Sequence, residues 1–241
     1  MKAYFISDLH LGAREIENPE LQHQKVNQMF QLMLNDASHL FVVGDFFDFW
    51  FEYRTVIPKQ YFSTLILLQK LKEKGVEMHY LAGNHDFALG TFFDRNLGIK
   101  THSDEAVVEL NQKKFFIFHG DGVDPEDKGY RFLKRILRNP FNQKLFRLIH
   151  PDFGIRLAKL VSGTSRKYNK IDLKNRSEEA YKQFAEQKFA EGFDYVIMGH
   201  RHNPLVHQVG QKKYINLGDW IINYSYAVFD GNDLELKFFC S

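Results

Sequence analysis

The chain has 241 residues, a formal net charge of +2, 24 phenylalanines and a single cysteine, Cys240. This length is enough for one domain with a large core, whereas the near-neutral charge argues against binding nucleic acid over the whole surface and one thiol excludes an internal disulfide or a cysteine metal site. The apolar run at the N-terminus is too short for a signal peptide and no window reaches the roughly 18 apolar residues of a membrane span, so we expect a cytoplasmic protein.

The first half of the chain alternates predicted strands and helices. A strand over Lys2–Ser7 precedes a helix that begins at Pro19. A second strand, in HLFVVGD, precedes a helix that begins at Pro58 and stops at Gly75, and a third strand lies in VEMHYLAGNHD. This order is typical of an α/β fold with parallel strands.

The second half contains short predicted strands separated by Gly, Asn and Asp. A hairpin is predicted where NQKK separates AVVEL from KFFIFHGD. Further strands are predicted in DYVIMGH, PLVHQVG, KKYINLGD, YSYAVFD and LELKFF. We expect these strands to form a second, mostly antiparallel set.

Between the halves, residues 128–176 carry fourteen basic and two acidic residues, a net charge of +12. Phe and Leu side chains interleave with the cations at helical spacing, in KGYRFLKRILRN, PFNQKLFRLIH and PDFGIRLAKLVSG. This pattern is typical of helices that lie on a membrane surface or bind an acidic amphiphile. A surface helical hairpin with a solvated basic face and a buried apolar face has the same pattern.

Five polar clusters follow predicted strands or lie in tight loops. They are Asp8 and His10 in DLH, Asp45 and Asp48 in GDFFD, Asn84, His85 and Asp86 in GNHD, His119 and Asp121 in HGD, and His200 and His202 in GHRH. Ligands bind at the carboxyl ends of strands in open α/β sheets. Asp, Asn and His donors without thiolate suit manganese, iron or zinc. One cluster alone is typical of a loop or a helix cap, but five in succession predict a metal centre.

The order D-x-H, G-D-x-x-D, G-N-H-D, H and G-H-x-H resembles the signature of the calcineurin-like metallophosphoesterases. The resemblance implies an α/β four-layer metallophosphoesterase fold, with two mixed β-sheets packed face to face and flanking helices, and a two-metal site at the strand tips. We expect a single domain over residues 1–241, with a helical cap inserted at about residues 128–176.

The same resemblance assigns the metal ligands. They are Asp8, His10 and His202 for one ion, Asn84, His119 and His200 for the other, and Asp45 as the bridge. The expected cofactors are two divalent ions, Mn²⁺ first, with Fe or Zn as alternatives. A hydroxide that bridges the two ions is the implied nucleophile.

The family pattern gives His85 a different task from its neighbour Asn84. We expect His85 to lie over the phosphate, where it stabilises the transition state or protonates the leaving oxygen. Asp86 is a candidate to orient the His85 imidazole. Asp48 and Asp121 are expected either to hold ligand imidazoles and brace loops or simply to cap loops.

A narrower resemblance lies in GDFFDFW, HGDGVDPEDKGYRFLKR and NLGDW. These stretches are similar to the UDP-2,3-diacylglucosamine diphosphatases of lipid A biosynthesis, which release UMP and 2,3-diacylglucosamine 1-phosphate and whose helical cap accepts the acyl chains. The best-known branch of that family has Arg at the position of His85. Candidate substrate contacts are Trp50, Asp127, Arg166, Lys167 and Lys170.

The expected partners are a lipid-linked sugar nucleotide and, through the cap, the inner face of the cell membrane, so that the protein is peripheral on it. No nucleic-acid partner is expected, because interleaved Phe and Leu favour an amphiphile over a phosphate backbone. Two alternatives stay open. One is a related metallophosphoesterase acting on another phosphodiester, a nucleotide diphosphate or nucleic acid. The other is a non-catalytic scaffold, which the complete donor set argues against.

Overall fold

The computed structural model describes residues 1–124, 128–158 and 178–239 of the chain. Four of the predicted substrate contacts, Asp127, Arg166, Lys167 and Lys170, lie outside the described residues, as does Cys240. The described residues form four layers, in which two β-sheets pack face to face and helices cover the outer faces. This arrangement confirms the predicted fold class.

The described residues contain eleven strands. They are β1 (Ala3–Ile6), β2 (His39–Val43), β3 (Glu77–Leu81), β4 (Lys100–His102), β5 (Glu105–Leu110), β6 (Lys113–Phe118), β7 (Tyr195–Met198), β8 (Leu205–Val209), β9 (Lys212–Asn216), β10 (Ser225–Phe229) and β11 (Leu234–Phe238).

Seven helices accompany them in the same residues. They are α1 (Pro19–Asp36), α2 (Phe62–Glu73), α3 (Phe92–Leu97), α4 (Lys128–Leu137), α5 (Pro140–Phe146), α6 (151–158) and α7 (Glu179–Ala190). The predicted helix start at Pro19 is confirmed, whereas the helix predicted to begin at Pro58 begins at Phe62. Asn18 caps α1 by accepting a hydrogen bond from the Leu21 N–H at 2.9 Å, and Pro58 precedes a short 3₁₀ turn that leads into α2.

The first sheet has the order β11-β10-β1-β2-β3-β4, and the second has the order β5-β6-β7-β9-β8. The prediction that the second-half strands form one mostly antiparallel set is wrong. Strands β6, β7 and β9 pair in parallel, and β10 and β11 join the first sheet through the antiparallel pairing of β10 with β1. An apolar pattern identifies a strand but not its partner, and helix α7 supplies the crossover that a parallel β6–β7 pair requires.

Apolar side chains hold the layers together. Between the sheets, the Phe5 ring stacks on Phe41 at 4.8 Å and on Phe115 of the facing sheet at 5.7 Å. Helices α1 and α2 cover the outer face of the first sheet, and α7 covers the second with Tyr181 and Phe189. The buried rings fix the two sheets relative to each other, so the strand tips of both sheets meet along one edge.

Helices α5 and α6 pack on the loop that follows β2. The Phe146 ring lies 4.8 Å from Phe51 and 6.0 Å from Phe49, and a Cβ on Gly154 would lie 2.4 Å from the Tyr53 hydroxyl. Gly154 therefore permits the close approach of α6. Among the described residues, no helix is long and apolar enough to cross a membrane.

Candidate metal centre

The five predicted clusters come together at one edge of the fold. Each follows the carboxyl end of a strand: Asp8 follows β1, Asp45 follows β2, Asn84 follows β3, His119 follows β6 and His200 follows β7. Parallel strands within each sheet place their carboxyl ends at the same edge. The structure brings these five clusters together at that edge.

One group of donors comprises Asp8, His10 and His202. The Nε2 atoms of His10 and His202 are 3.2 Å apart. The Asp8 Oδ1 atom lies 3.3 Å from His202 Nε2 and 3.7 Å from His10 Nε2. These three ligand atoms are close enough to share one ion.

A second group comprises Asn84, His119 and His200. The Asn84 Oδ1 atom lies 3.1 Å from His119 Nε2 and 3.0 Å from His200 Nδ1. Asp45 lies between the groups, because its Oδ2 atom is 3.5 Å from His119 Nε2 and 3.7 Å from His10 Nε2. One carboxylate oxygen thus faces both donor groups.

The donors fit divalent cations. Neighbouring ligands of a cation bound at about 2.1 Å lie about 3 Å apart, which matches the spacing in both groups. The Asp8 Oδ1 atom is buried and accepts no hydrogen bond among the described residues. A buried carboxylate oxygen left without a hydrogen bond is costly, and a cation between Asp8, His10 and His202 would remove that cost.

The backbone at the donors is strained. Five donor residues have left-handed φ angles: Asp8 (55°), His10 (45°), Asp45 (52°), His200 (68°) and His202 (53°). Side-chain-bearing residues rarely adopt this region, and strain of this kind concentrates at functional sites. The strand ends turn sharply enough to aim each side chain back across the edge of the sheets.

Two glycines of the motifs leave room for the carboxylates. A Cβ on Gly83 would lie 2.1 Å from Asp45 Oδ1, and one on Gly199 would lie 2.5 Å from Asp8 Oδ2. Neither distance is possible between non-bonded atoms. The G-N and G-H steps therefore supply the space in which Asp45 and Asp8 sit.

Burial and neighbouring charges give the imidazoles of His119 and His200 very different pKa values. Burial lowers the pKa of His119, but the charges of Asp45 and Asp8 outweigh it and raise the pKa to about 10. Burial, with the positive charge of His119, lowers the pKa of His200 to about 4. The His200 imidazole is therefore neutral at pH 7 and has a lone pair for a ligand bond, whereas a cation at His119 would displace a proton.

His85 lies beside both donor groups. Its Nδ1 atom is 3.0 Å from the backbone oxygen of Asp48 and 3.7 Å from Asp48 Oδ1. Its Nε2 atom is 3.9 Å from Asp45 Oδ2, and its backbone N–H donates to Asp45 Oδ1 at 2.9 Å. The Asp48 contacts orient the imidazole so that Nε2 faces the bridging carboxylate.

Asp86 contacts other groups than the predicted one. Its two oxygens accept hydrogen bonds from the Tyr80 hydroxyl and from the backbone N–H groups of Gly83, Asp45, Phe46 and Phe47. The assignment of Asp86 as the group that orients His85 is therefore corrected: Asp86 ties the G-N-H-D loop to the loop that carries Asp45. Asp86 is fully buried, and Asp48 contacts the His85 imidazole.

Trp50 is also corrected. Its side chain is fully buried and packs on Phe93 at 4.6 Å, on Phe47 at 4.9 Å and on Phe92 at 5.7 Å. A ring enclosed in this way cannot contact a substrate. Trp50 belongs to the core beneath the loop.

Asp121 contacts helix α4, whereas Asp219 lies beside the donor residue His202. The Asp121 Oδ2 atom lies 2.8 Å from Lys134 Nζ. Asp219, which we did not single out in the sequence, lies 3.7 Å from His202 Nδ1 and accepts three backbone hydrogen bonds in its own loop. Its position three residues after the end of β9, within NLGDW, was the only signal.

Helix α4 and the residue that follows it place two cations toward the core and two apolar side chains toward the outside. The side chains of Lys134 and Arg138 face the core and are only 20% and 22% exposed, whereas Phe132 is 64% exposed and Ile136 is 40% exposed. Arg135 of the same helix is exposed and Leu137 is half-buried, so the described side chains of α4 do not divide into one basic and one apolar face. Across α4, α5, α6 and their connections, the exposed large apolar side chains are Phe132, Ile136, Phe141, Leu145, Leu148, Ile149, Phe153 and Leu157.

Comparisons with known proteins agree with this geometry. A family model described as calcineurin-like phosphoesterase matches residues 1–204. The chain is 35% identical to UDP-2,3-diacylglucosamine hydrolase of Porphyromonas gingivalis, covering 98% of this chain and 97% of that protein. It is 32% identical to the Haemophilus ducreyi protein of the same name, covering 91% and 92%. A solved structure of an archaeal phosphodiesterase aligns over 99% of both chains with a TM-score of 0.50 at 15% identity, a likeness of fold. The chain belongs to the calcineurin-like phosphoesterase family.

Proposed function

We propose that this protein is a metal-dependent hydrolase that cleaves the pyrophosphate of UDP-2,3-diacylglucosamine to UMP and 2,3-diacylglucosamine 1-phosphate. The observation that carries the proposal is the complete set of donors at the strand tips, in which Asp45 Oδ2 faces both groups at 3.5 and 3.7 Å. The names of the relatives that match nearly the whole chain support the substrate.

Two divalent ions are part of the proposal. Asp8, His10 and His202 would hold one ion, Asn84, His119 and His200 the other, and Asp45 both. When bound, such ions polarise the phosphoryl oxygens and activate water at neutral pH. We propose Mn²⁺ as the ion, because carboxylate, amide and imidazole donors without thiolate suit it. Elemental analysis of the purified protein, with activity measured after chelation and reloading with Mn²⁺, Zn²⁺ or Mg²⁺, tests this choice.

His85 would act on the phosphoryl group. Its Nδ1 atom is held by Asp48 at 3.0 Å, which leaves Nε2 to meet a phosphoryl or leaving oxygen. An imidazole can donate a hydrogen bond there and can also transfer a proton. This role separates His85 from its neighbour Asn84, whose oxygen lies between two imidazoles.

We further propose that the chain is one domain in which residues 128–176 form a cap for the acyl chains. The exposed apolar side chains of α4, α5 and α6 support this part of the proposal. The cap would also contact an anionic membrane surface as a peripheral element, through these side chains and the net charge of +12 in the segment.

Hydrolysis of the diacylated sugar nucleotide tests the proposed function. Purified protein loaded with Mn²⁺ should release UMP and the lipid monophosphate, identified by mass spectrometry. An Asp45→Asn variant is the matched control, because it removes the carboxylate charge that faces both donor groups. Cleavage of short soluble diesters with the sugar nucleotide left intact would instead assign the protein to another phosphodiesterase reaction.

A further inference from the structure

A cluster of four charged side chains joins α4 to the core. Arg138 directly follows the last residue of α4, and its backbone N–H donates to the Lys134 oxygen at 2.9 Å, so the two side chains lie one helical turn apart on one face. The Asp121 Oδ2 atom is 2.8 Å from Lys134 Nζ and 3.5 Å from Arg138 Nη2. The Asp104 Oδ1 atom is 3.3 Å from both Lys134 Nζ and Arg138 Nη1. We call Asp104, Asp121, Lys134 and Arg138 the latch.

The latch is deepest at Asp121. Its side chain is 0% exposed, whereas that of Asp104 is 57% exposed. Because a buried carboxylate that loses its cation is strongly destabilised, α4 has one favoured position on the core.

The latch also touches the loops that carry metal donors. Asp121 lies two residues after His119. The Arg138 Nη2 atom donates to the backbone oxygen of Gly83 at 3.4 Å, directly before Asn84, and its Nη1 atom donates to the Ser103 oxygen at 2.7 Å. These contacts therefore fix the position of α4 relative to the loops that carry the donor residues.

The position of α4 also determines where its exposed apolar side chains lie. Lys134 and Arg138 point inward, whereas Phe132 and Ile136 are exposed. Two apolar side chains held outward beside a phosphoesterase centre suit the apolar part of an amphiphilic substrate. Moving α4 would move these side chains relative to the metal donors.

We propose that the latch sets the selectivity of the enzyme for its large lipid substrate. Lys134 and Arg138 act as positioning residues that hold α4 at a fixed position relative to the donor cluster. This inference rests on the proposed function for the identity of that substrate. It assigns the latch no contact with the reacting atoms.

Methionine variants test the latch. Lys134→Met and Arg138→Met keep a flexible, unbranched side chain but remove the charge, and Arg135→Met on the exposed side of the same helix is the matched control. Hydrogen exchange of the α4 amides is measured on the full-length, metal-loaded proteins. KM and kcat are measured for UDP-2,3-diacylglucosamine and for bis(p-nitrophenyl) phosphate.

The latch variants should exchange faster in α4 than the wild type and the control. Their KM for the sugar nucleotide should rise by about tenfold to a hundredfold, since small displacements of positioning groups carry penalties of this size. Hydrolysis of the short diester should stay at the rate of the Arg135→Met control.

Unchanged exchange and KM in the latch variants would overturn the proposal. Equal losses on both substrates would overturn it as well, because the cations would then support the donor cluster itself. If the wild type leaves the sugar nucleotide intact, the proposed function fails on its own. The latch is then tested by two measurements on the same variants: hydrogen exchange of α4, and the ratio of activities on a long and a short phosphodiester. Faster exchange with a changed ratio supports the latch, and no change in either overturns it.

Discussion

His85 and Asn84 are neighbours in the chain with separate tasks in the site. Replacing His85 with Ala should lower turnover on the order of 10²–10⁴-fold, the range for a lost proton donor. Metal content measured by elemental analysis should stay at the wild-type level. A fall in metal content would contradict this assignment and would favour the alternative grouping in which His10, Asp48 and His85 hold an ion.

A substitution at Gly83 tests how little space there is around the Asp45 carboxylate. Gly83→Ala should reduce metal content and activity together, because the new Cβ would occupy the space of Asp45 Oδ1 at 2.1 Å. Gly210→Ala is the control, since it adds a methyl group at a glycine with positive φ where no atom lies within 4 Å. Normal metal content in Gly83→Ala would show that the loop can relax and that the glycine is dispensable.

Residue types and their order in the sequence predicted the donor set, but not the direction in which each side chain points. Asp86 and Trp50 show the difference. Asp86 is adjacent to His85 yet turns toward Tyr80 and the Asp45 loop, and Trp50 follows the motif yet points into the core. An aromatic residue within a run of Phe is more typical of the core than of a binding surface, and that signal was available.

At the scale of elements, the strand ends were predictable and the strand partners were not. The motifs lie at the tips of β1, β2, β3, β6 and β7 because parallel strands end together. Strand β10 belongs to the first sheet because it pairs with β1. The two strands are far apart in the sequence, so local patterns do not predict their pairing. Strand β4 has only three residues, and its periodicity is too short to detect.

Strands β2, β3 and β4 also carry a histidine cluster away from the metal donors. His79 Nδ1 lies 3.0 Å from His102 Nε2, and His79 Nε2 lies 3.2 Å from Glu77 Oε1. Burial lowers the pKa values of His39, His79 and His102 below 6.5. The unfolded chain takes up protons near pH 6.5 while the folded chain stays neutral there, so stability is full above that pH and is lost as pH falls below it.

His79→Gln should weaken this pH dependence. The variant removes up to one proton of difference between the unfolded and folded states, which is about 1.4 kcal/mol per pH unit. Urea unfolding from about pH 7 to about pH 5 measures the slope, with the exposed His23→Gln as control. An unchanged slope in His79→Gln would mean that His79 is protonated in the folded protein as readily as in the unfolded chain.

At the scale of the whole molecule, the metal centre links five loops from both sheets. A cation that binds only the folded protein stabilises it by about 2.7 kcal/mol at a concentration 100 times its Kd. Adding Mn²⁺ to chelator-treated protein should therefore raise the thermal unfolding midpoint. Asp45→Asn should show a smaller rise, because the charge shared by both donor groups is gone. Equal midpoints with and without Mn²⁺ in the wild type would contradict a preformed cation site.

The basic segment at residues 128–176 was only partly predictable from the sequence. Interleaved cations and apolar residues predicted amphipathic helices over residues 128–176, and α4, α5 and α6 lie there. Which face turns inward was not predictable, because Asp104 and Asp121 attract the cations from sites distant in sequence. Packing of charge against a buried carboxylate overrode the usual orientation of apolar side chains toward the core.

The pairing of β1 with β10 has a consequence during protein synthesis. Strand β1 leaves the ribosome first, but its antiparallel partner is complete only at Phe229. Until then one edge of the growing sheet has unpaired backbone groups that invite association between nascent chains. His10 is likewise synthesised 192 residues before His202, so a nascent chain contains five of the seven donors before His200 and His202 are added.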